Sequence, residues 1–477
     1  MGRRPSINLC WNHISISEQH NDEKFGSKFM DDVDYAYEAI NYMHDFQRGK
    51  AEIRPVVEQP KMTNYFWNCH LQWPINVSKS GWISAHDLHM FSATYDSRKN
   101  SLYPFNHIIQ VLAVSFQSIT TKCFCNIYDL DTHSSVAVEA TVREIWQRAW
   151  DPRPFFYIPN LISCPVPQQF KEKLHLAVSI STRICYNSQS AVMVRKNNSP
   201  KIEKTGIAVC VKGLDFLRDI STELVEWIEA QYLFGAEHIT VYNYHVHKKI
   251  WRVLKYYEQK GMLTLVSLSL PGFSPNHVFT RSNFIWRNRQ QKRRHELIPY
   301  NDCFYRHIDT HKYILIVDID ELVVPLRSKN WSEMLEEIVT EQMKLRVTSL
   351  SVSNVFKFPS KVAVSDIPEY MHMLRNRRVS KIINKKGEYG KSFTNTDSST
   401  TVFNHFALHR QYENVLRTIY ISPDLAIKLH YKSDCPIESR RHCSIFHNET
   451  VEDKSLDKFA NELVKRTSRV VQLLNLV

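Results

Sequence analysis

Hydrophobic and polar positions after about residue 205 alternate between short apolar runs and segments with helical spacing. The pattern predicts strands at 207–212, 238–244 and 263–268, separated by helices at 221–234 and 248–259. This strand–helix repeat is typical of a doubly wound, mostly parallel sheet, whose ligands bind beyond the carboxyl ends of the strands. The sequence therefore predicts an α/β domain in the second part of the chain.

A further apolar run, Tyr313 to Val317, ends in the acidic segment Asp318-Ile-Asp320-Glu321. The run has the length of a buried strand, so the acids are expected at the ligand-binding edge of the sheet. Aspartates are also common in turns and in ion pairs with Lys or Arg, which is the alternative interpretation of the Asp-x-Asp spacing. Carboxylates at alternate residues suit a hard divalent cation such as Mg²⁺ or Mn²⁺.

The chain before residue 200 has a different pattern of apolar and polar positions. Apolar or alternating runs at 108–116, 123–128 and 176–180 are separated by turn residues, which predicts β-structure. A polar, turn-rich linker at 196–201 follows. We therefore predict a β-rich accessory or stem region at 1–200, an α/β domain at 201–450 and a C-terminal helix at 451–477.

Composition is that of a globular protein with excess positive charge. The 477 residues are 43% hydrophobic, and 61 Lys+Arg against 49 Asp+Glu give a net charge of +12. This charge favours anionic ligands without naming them. The basic cluster Arg281 to Arg294 has interleaved apolar residues at helical spacing, which predicts the outer face of a helix. No nucleic-acid module surrounds it, so no nucleic-acid partner is predicted.

Cysteines and acceptor asparagines favour the secretory pathway. Ten cysteines allow disulfides, and a bridge between Cys435 and Cys443 could staple a short loop. Asn-x-Ser/Thr sites occur at Asn76, Asn197, Asn330 and Asn448. The chain as given has no apolar run of eighteen residues, so no transmembrane helix is predicted within it.

Several segments in order carry a family resemblance: Thr222 to Tyr242, Asn301 to Cys303, Ile316 to Pro325 and Leu429 to Lys432. Together they resemble glycosyltransferase family 92, over about Thr205 to Cys443. The resemblance implies a GT-A fold, a Rossmann-like α/β catalytic domain at 201–450 preceded by the smaller β-rich region. It also implies inverting transfer of a hexose, galactose in characterised members, from a UDP-sugar to a glycan or glycoprotein acceptor. Fucose on an N-glycan core is one candidate acceptor.

The resemblance also implies roles for the acidic segment. Asp320, and Asp318 directly or through water, are expected to bind Mn²⁺ (or Mg²⁺) between the two phosphates of UDP. The cation would act as a Lewis acid on the departing UDP. Glu321 is expected either to contact the sugar or to orient the loop.

Two further groups of residues are candidates for the same site. GT-A enzymes add a metal-binding histidine from a later segment, and His405 is favoured over His409 by its spacing from Lys391. The alternative for either histidine is a structural role. The nucleotide is expected at the ends of the first two strands, where Lys212 and Asn243 emerge.

The catalytic base is not identified by the sequence. An inverting transferase needs a carboxylate or histidine to accept the proton of the acceptor hydroxyl. Glu388, Asp434, Glu438 and His430 lie in suitable segments, and spacing does not select among them.

The resemblance implies a Golgi type II membrane protein, but the usual anchor is not in this chain. We therefore expect that the gene model is truncated at its start, or that this member is secreted or anchored otherwise.

Two other functions remain as alternatives. Haloacid-dehalogenase phosphatases also have four apolar residues before Asp-x-Asp, but that motif ends their first strand, whereas three predicted strands precede Asp318. A glycan-binding relative that has lost turnover is the non-enzymatic alternative. The intact Asp318 and Asp320 count against it.

Overall fold

The structure is a computed structural model that describes residues 66–79, 81–85, 88–197, 203–339, 347–359, 366–433 and 440–477. These residues belong to a compact unit that spans Pro55–Val477. Predictions at Asp434, Cys435 and Glu438 lie outside the described residues. The predicted domain boundaries at 200 and 450 stay predictions.

The first part of the described chain is a sheet that closes on itself. Its strands are β1 (Phe66–Asn68), β2 (Asn76–Ser78), β3 (Ile83–Ala85), β4 (Leu88–Asp96), β5 (Ile108–Phe116), β6 (Cys123–Asp129), β7 (Ser135–Glu144), β8 (Tyr157–Pro165), β9 (Leu176–Ser181) and β10 (Ser190–Arg195). Strands β4, β5, β8, β7, β6, β9 and β10 are neighbours in that order, and β10 pairs again with β4. Seven strands therefore form a barrel with an apolar interior, in agreement with the predicted β-rich character.

The remaining strands form two larger sheets and a hairpin. They are β11 (Thr205–Phe216), β12 (Ala236–Val246), β13 (Leu263–Ser267), β14 (His311–Ile316), β15 (Glu321–Pro325), β16 (Val347–Val352), β17 (Asn354–Phe358), β18 (Arg378–Ser380), β19 (Lys391–Asn395), β20 (Ser399–Val402), β21 (Ala407–Arg410), β22 (Leu416–Tyr420), β23 (Ala426–Tyr431) and β24 (Thr450–Glu452). The seven-stranded sheet has the order β13-β12-β11-β14-β19-β16-β22, and the five-stranded sheet β15-β23-β17-β18-β24. Strands β20 and β21 form the hairpin.

The seven-stranded sheet is mostly parallel, as predicted, but it is mixed because one of its seven strands, β19, runs against the other six. Strands β11 to β14 are parallel where they pair, but β19 is antiparallel to both β14 and β16. The antiparallel strand arises from a late segment whose place in the sheet depends on long-range pairing. The chain is therefore a mixed α/β protein.

The helices of the described chain are α1 (Ser221–Leu233), α2 (Lys248–Gln259), α3 (Val278–Arg287), α4 (Arg289–His295), α5 (Leu297–His307), α6 (Trp331–Ile338), α7 (His372–Arg375), α8 (Arg440–Asn448) and α9 (Asp457–Leu473). A short 3₁₀ helix covers Gln168–Phe170. The predicted helix at 248–259 is confirmed at both ends, and the one predicted at 221–234 ends one residue early. None of the helices in the described ranges is long and apolar enough to cross a membrane.

Helices cover the seven-stranded sheet on both faces. Val209 and Val211 of β11 belong to the core that α1, α2 and α9 complete. Ala208 and Cys210 face the core that α5 completes. Side chains alternate along a strand, so α1 and α5 lie on opposite faces of the sheet.

Disulfides connect distant segments of the described chain. They are Cys69–Cys185, Cys125–Cys164 and Cys210–Cys303. Cys123 is a free, buried thiol. Cys443 is also disulfide-bonded. Its predicted pairing with Cys435 stays a prediction because Cys435 lies outside the described residues.

The basic cluster is only partly a solvated helix face. Arg281 and Arg294 are buried, against the prediction that the whole cluster faces outward. Arg281 Nη2 lies 2.9 Å from Asp215 Oδ1, and Arg294 Nη1 lies 3.2 Å from Asp151 Oδ2. Each buried guanidinium has a carboxylate partner, which is the condition under which arginine is tolerated in a core.

Candidate active site

The acidic segment forms a turn between β14 and β15, beyond the carboxyl end of β14. The Glu321 N–H donates to the Asp318 carbonyl over 3.0 Å, and the Asp318 N–H donates to Glu321 Oε2 over 3.1 Å. The turn lies beside the point where the strand order reverses, between β11 and β14. In open α/β sheets this switch point is where ligands bind.

Two lysines hold the Asp318 carboxylate. Lys212 Nζ from β11 lies 3.0 Å from Asp318 Oδ1, and Lys391 Nζ from the start of β19 lies 3.4 Å from Asp318 Oδ2. Burial raises the pKa of Asp318, but the two ammonium groups outweigh it and lower the pKa well below its usual value. Asp318 is therefore an ionised carboxylate whose two oxygens both face cations.

Glu321 is buried more deeply than Asp318. It is 2% exposed, and its carboxylate pairs with Lys391 (3.3 Å) and with Lys428 of β23. Burial raises its pKa, yet these lysines lower it below its usual value. A side chain so enclosed orients the loop, which favours that alternative over direct contact with a sugar.

Asp320 points outward and has a histidine beside it. Its side chain is 49% exposed, and Asp320 Oδ2 lies 3.4 Å from His430 Nε2 and 4.0 Å from Lys432 Nζ. His430 is opposite Glu321 in the β15·β23 pairing, which places its ring at the acidic turn. Burial, then Lys428, lowers the pKa of His430, so its ring is neutral at pH 7. Asp320 and His430 together offer one carboxylate and one neutral imidazole.

The predicted histidine His405 lies in the same region but is held differently. His405 Nδ1 donates to the Gly390 carbonyl over 2.6 Å, and Nε2 lies 3.4 Å from Asn404 Nδ2. Burial, and then Lys391, lowers its pKa to about 3. The Asn404 amide therefore occupies the ring nitrogen that a metal would need. The assignment of His405 as a metal ligand stays a prediction.

His409, the other histidine considered, lies on β21. His409 Nδ1 is 2.7 Å from Thr401 Oγ1, and burial lowers the pKa of the ring to about 4. This hydrogen bond across the β20–β21 hairpin gives His409 a structural role.

The predicted nucleotide residues lie inside their strands rather than at the ends, because β11 and β12 extend to Phe216 and Val246. An irregularity in β11 between Val211 and Leu214 still turns Lys212 toward Asp318. Lys212 Nζ also lies 3.5 Å from Glu296 Oε1. Asn243 Oδ1 is buried with no hydrogen-bond partner among the described residues.

The geometry does not select a catalytic base from among the candidates. His430 lies at the acidic turn, whereas Glu388 Oε2 accepts a hydrogen bond from the Lys385 N–H over 3.3 Å within its own loop. Asp434 and Glu438 lie outside the described residues. No base is assigned.

Sequence reasoning named His430 as a candidate base but did not place it or Lys428 beside the acidic turn. Both lie on β23, whose pairing with β15 joins segments about one hundred residues apart. The resemblance at Leu429 to Lys432 was the available signal, because that segment includes His430. No local pattern indicates which strand it pairs with.

The sequence model of glycosyltransferase family 92 matches residues 205–467, more than half of the chain. The chain belongs to glycosyltransferase family 92. Membership supports glycosyl transfer as its general activity. The matched range contains Lys212, Lys391, Lys428, His430 and the acidic turn, so the whole candidate site lies within the residues that the family model matches.

No curated protein matches the chain. The chain is similar to crystal structures of S. aureus TarS 1–349, alone and in complex with UDP-GlcNAc, with 14% and 16% identity and TM-scores of 0.24 and 0.25. These matches cover 48% and 49% of this chain and 60% and 61% of the TarS chains, so the chain spans about three fifths of their length. TM-scores this low carry no argument about fold or substrate.

Proposed function

We propose that this family 92 member is a metal-dependent hexosyltransferase. It transfers a hexose, with galactose the choice implied by the family, from a UDP-sugar to a glycan acceptor. Fucose on an N-glycan core is the first acceptor to test. The observation that carries the proposal is the half-exposed Asp320 with the neutral His430 ring 3.4 Å away, at the switch point of the sheet.

The sheet order supports a GT-A arrangement. Strands β13, β12, β11 and β14 are consecutive neighbours, and the acids follow β14, the fourth strand of this sheet in the chain. The phosphatase alternative places the acids after the first strand of the domain, which does not match this order.

The residues present fit a divalent cation. Mg²⁺ and similar ions are commonly held by one or two protein carboxylates together with substrate phosphates and water. Asp320 and His430 would supply the protein ligands, although the described residues contain no group of three or more acidic, His or Cys side chains able to hold a metal alone. Both Asp318 oxygens face lysines, so Asp318 would act through water. When bound, the cation would supply Lewis-acid stabilisation of the departing diphosphate.

The lysines around the acidic turn stabilise its ionised carboxylates. Lys212 and Lys391 keep Asp318 ionised, and Lys391 and Lys428 keep Glu321 ionised and in place. The acidic turn is thus held in one conformation before any ligand binds. Preorganised charge of this kind needs no rearrangement during the reaction. On the β12 side, Asn243 Oδ1 is buried with no hydrogen-bond partner among the described residues, so it would accept a hydrogen bond from the nucleotide only if a side chain moves to uncover it.

The compartment we propose is the secretory pathway, with the Golgi as the site implied by the family. Disulfides persist in oxidising compartments, and the described residues contain Cys69–Cys185, Cys125–Cys164 and Cys210–Cys303. The acceptor asparagines Asn76 and Asn448 are exposed. Glycosylation of Asn76 in protein secreted from cultured cells would support this compartment, and its absence would count against it.

The function is tested by UDP release. Purified protein is incubated with a panel of UDP-sugars, with Mn²⁺ or with chelator, and with fucosylated and galactosylated glycans. The proposal predicts Mn²⁺-dependent UDP release from one donor that one acceptor increases. Metal-independent release would contradict the metal assignment. Absence of release with every donor would contradict the transferase and favour a glycan-binding relative.

A further inference from the structure

A polar cavity of about 290 Å³ opens on the α1 face of the sheet, between α1 and α7. Thr222 and Glu223 from the first turn of α1 form one wall. The opposite wall is Glu369, Tyr370, His372, Arg375 and Asn376. We call this the α1–α7 cavity. Its volume is close to the lower end of the range for small-molecule sites, ~300 Å³.

The walls of the cavity are fixed without a ligand. Glu226 of α1 accepts hydrogen bonds from the backbone N–H groups of Met373 (2.8 Å) and Leu374 (3.0 Å), which ties α7 to α1. The Tyr370 hydroxyl lies 2.9 Å from Ser468 Oγ on α9. A preformed polar pocket loses little conformational entropy when a ligand binds.

Tyr431 connects the cavity to the acidic turn. Its N–H donates to the Asp320 carbonyl over 2.9 Å, and its hydroxyl donates to the Met373 carbonyl over 3.2 Å. The centroid of its ring lies 5.6 Å from that of His372, which lines the cavity. The cavity is therefore separated from Asp320 by one aromatic residue.

The cavity and the proposed nucleotide residues approach the turn from different sides. Lys212 pairs with Glu296, which directly precedes α5, the helix on the opposite face of the sheet from α1. The cavity begins at α1. A ligand in the cavity would thus lie beside the acidic turn on the α1 side while a nucleotide occupies the α5 side, as a two-substrate transfer requires.

The lining favours hydroxyl groups over anions. Glu223 and Glu369 place two carboxyl groups in the cavity, and carboxylates accept hydrogen bonds from sugar hydroxyls. The two carboxyl groups outnumber the one guanidinium of the lining, that of Arg375, whose Nη1 donates to the Ile367 carbonyl over 2.9 Å. An acidic sugar would therefore meet a lining with more negative than positive side chains.

Aromatic residues complete the lining. His372 is exposed at the mouth of the cavity, and partial desolvation, followed by Lys357 and Arg218, lowers its pKa below the usual value. The His372 ring and the Tyr370 ring offer flat apolar surfaces beside the two carboxyl groups. Flat rings beside hydrogen-bonding groups suit the apolar and polar faces of a sugar.

We propose that the α1–α7 cavity binds a neutral sugar unit of the acceptor glycan. This assignment rests on the proposed transferase function and adds to it the place and charge of the acceptor. The Glu223 and Glu369 side chains bind the hydroxyls, and Tyr431 lies between the bound sugar and Asp320.

The cavity is tested by ligand-observed NMR, which needs no turnover. Saturation transfer is measured from the wild-type protein to methyl β-D-galactoside, methyl α-L-fucoside and the methyl glycoside of N-acetylneuraminic acid. Glu369→Trp fills the cavity from an exposed position, and Glu336→Trp on the exposed face of α6 is the matched control. Glu223→Gln keeps the volume and removes the charge.

We expect a signal from at least one neutral glycoside that Glu369→Trp reduces at least fivefold, Glu223→Gln weakens, and Glu336→Trp leaves unchanged. The sialoside should give no cavity-dependent signal. The proposal is overturned if no neutral glycoside gives a signal that Glu369→Trp removes, or if the sialoside gives one. Cavity-dependent binding without UDP release from any donor would instead contradict the transferase function alone.

Discussion

Charge pairing at individual residues determines the shape of the acidic turn. Glu321 is enclosed by Lys391 and Lys428, and Lys391 also reaches Asp318. A carboxylate buried in this way is stable only while its partners remain charged, because an unpaired buried charge is costly. The turn therefore depends on lysines from β19 and β23 that are distant in sequence.

Removal of one of these lysines should destabilise the fold. We expect Lys428→Met to lower the free energy of unfolding by about 3–5 kcal/mol, because the buried Glu321 carboxylate then loses one of its two lysine partners. Urea unfolding gives the value, with the exposed Lys454→Met as a control that should change it by less than about 0.5 kcal/mol. The double variant Lys428→Met, Glu321→Gln should recover part of the loss. A loss below about 1 kcal/mol would show that the pair is not important for stability.

At the scale of elements, local pattern predicted helices and strands well. The helix at 248–259 has the predicted ends because its apolar positions recur at helical spacing and its ends are polar. Strands β11 and β12 run four and two residues beyond their predicted ends. The extensions contain polar residues that pair with a neighbouring strand, and hydrophobic pattern alone does not detect such pairing.

What the sequence could not predict is the pairing of distant elements. Closure of the barrel depends on β10 meeting β4, and the acidic turn depends on β15 meeting β23. The acids Asp318 and Asp320 were predicted from their place after a buried strand. Lys428 was not predicted, and His430 was named only as one of four candidate bases, because register between distant strands leaves no local trace.

The N-terminus of α6 gives a test at this scale. Asn330, one of the acceptor asparagines, is its N-cap, and Asn330 Oδ1 accepts a hydrogen bond from the Glu333 N–H over 3.0 Å. We expect Asn330→Ala to cost about 1 kcal/mol of unfolding free energy and Asn330→Asp to cost much less. Thermal or urea unfolding of both variants measures these two losses. Equal losses would argue against a capping role.

His295 at the end of α4 predicts acid sensitivity. It is buried, and neither ring nitrogen has a hydrogen-bond partner in the described chain. Burial, then Arg294, lowers its pKa to about 3. Because the unfolded chain binds this proton below pH 6.5 and the folded one does not, stability is lost as pH falls from 6.5 toward 3.

We therefore expect His295→Phe to be less sensitive to acid than the wild type. Between pH 7.5 and pH 5, the wild type should lose about 2 kcal/mol more unfolding free energy than His295→Phe loses. Urea unfolding at the two pH values measures it. Parallel loss in both proteins would place the acid sensitivity elsewhere.

At the scale of the whole molecule, disulfides link segments that are far apart in the sequence. Apart from the bridge, such segments are held together by hydrophobic contacts. Cys210–Cys303 joins β11 to α5 across the core on one face of the sheet and encloses a separation of 93 residues. We expect the double variant Cys210→Ala, Cys303→Ala to lose about 2–5 kcal/mol of unfolding free energy. The free thiol variant Cys123→Ala is the control and should lose less. Equal losses would show that packing, not the bridge, stabilises this core.

The central claim is that Asp320 and His430 hold the divalent cation of a nucleotide-sugar site. Calorimetric titration of Mn²⁺ in the presence of UDP tests it most directly, using wild type, Asp320→Asn, His430→Gln and His405→Gln. We expect Asp320→Asn and His430→Gln each to weaken Mn²⁺ binding at least tenfold and His405→Gln to leave it unchanged. Wild-type affinity in Asp320→Asn would contradict the metal site, and weakening by His405→Gln alone would assign the histidine ligand to His405.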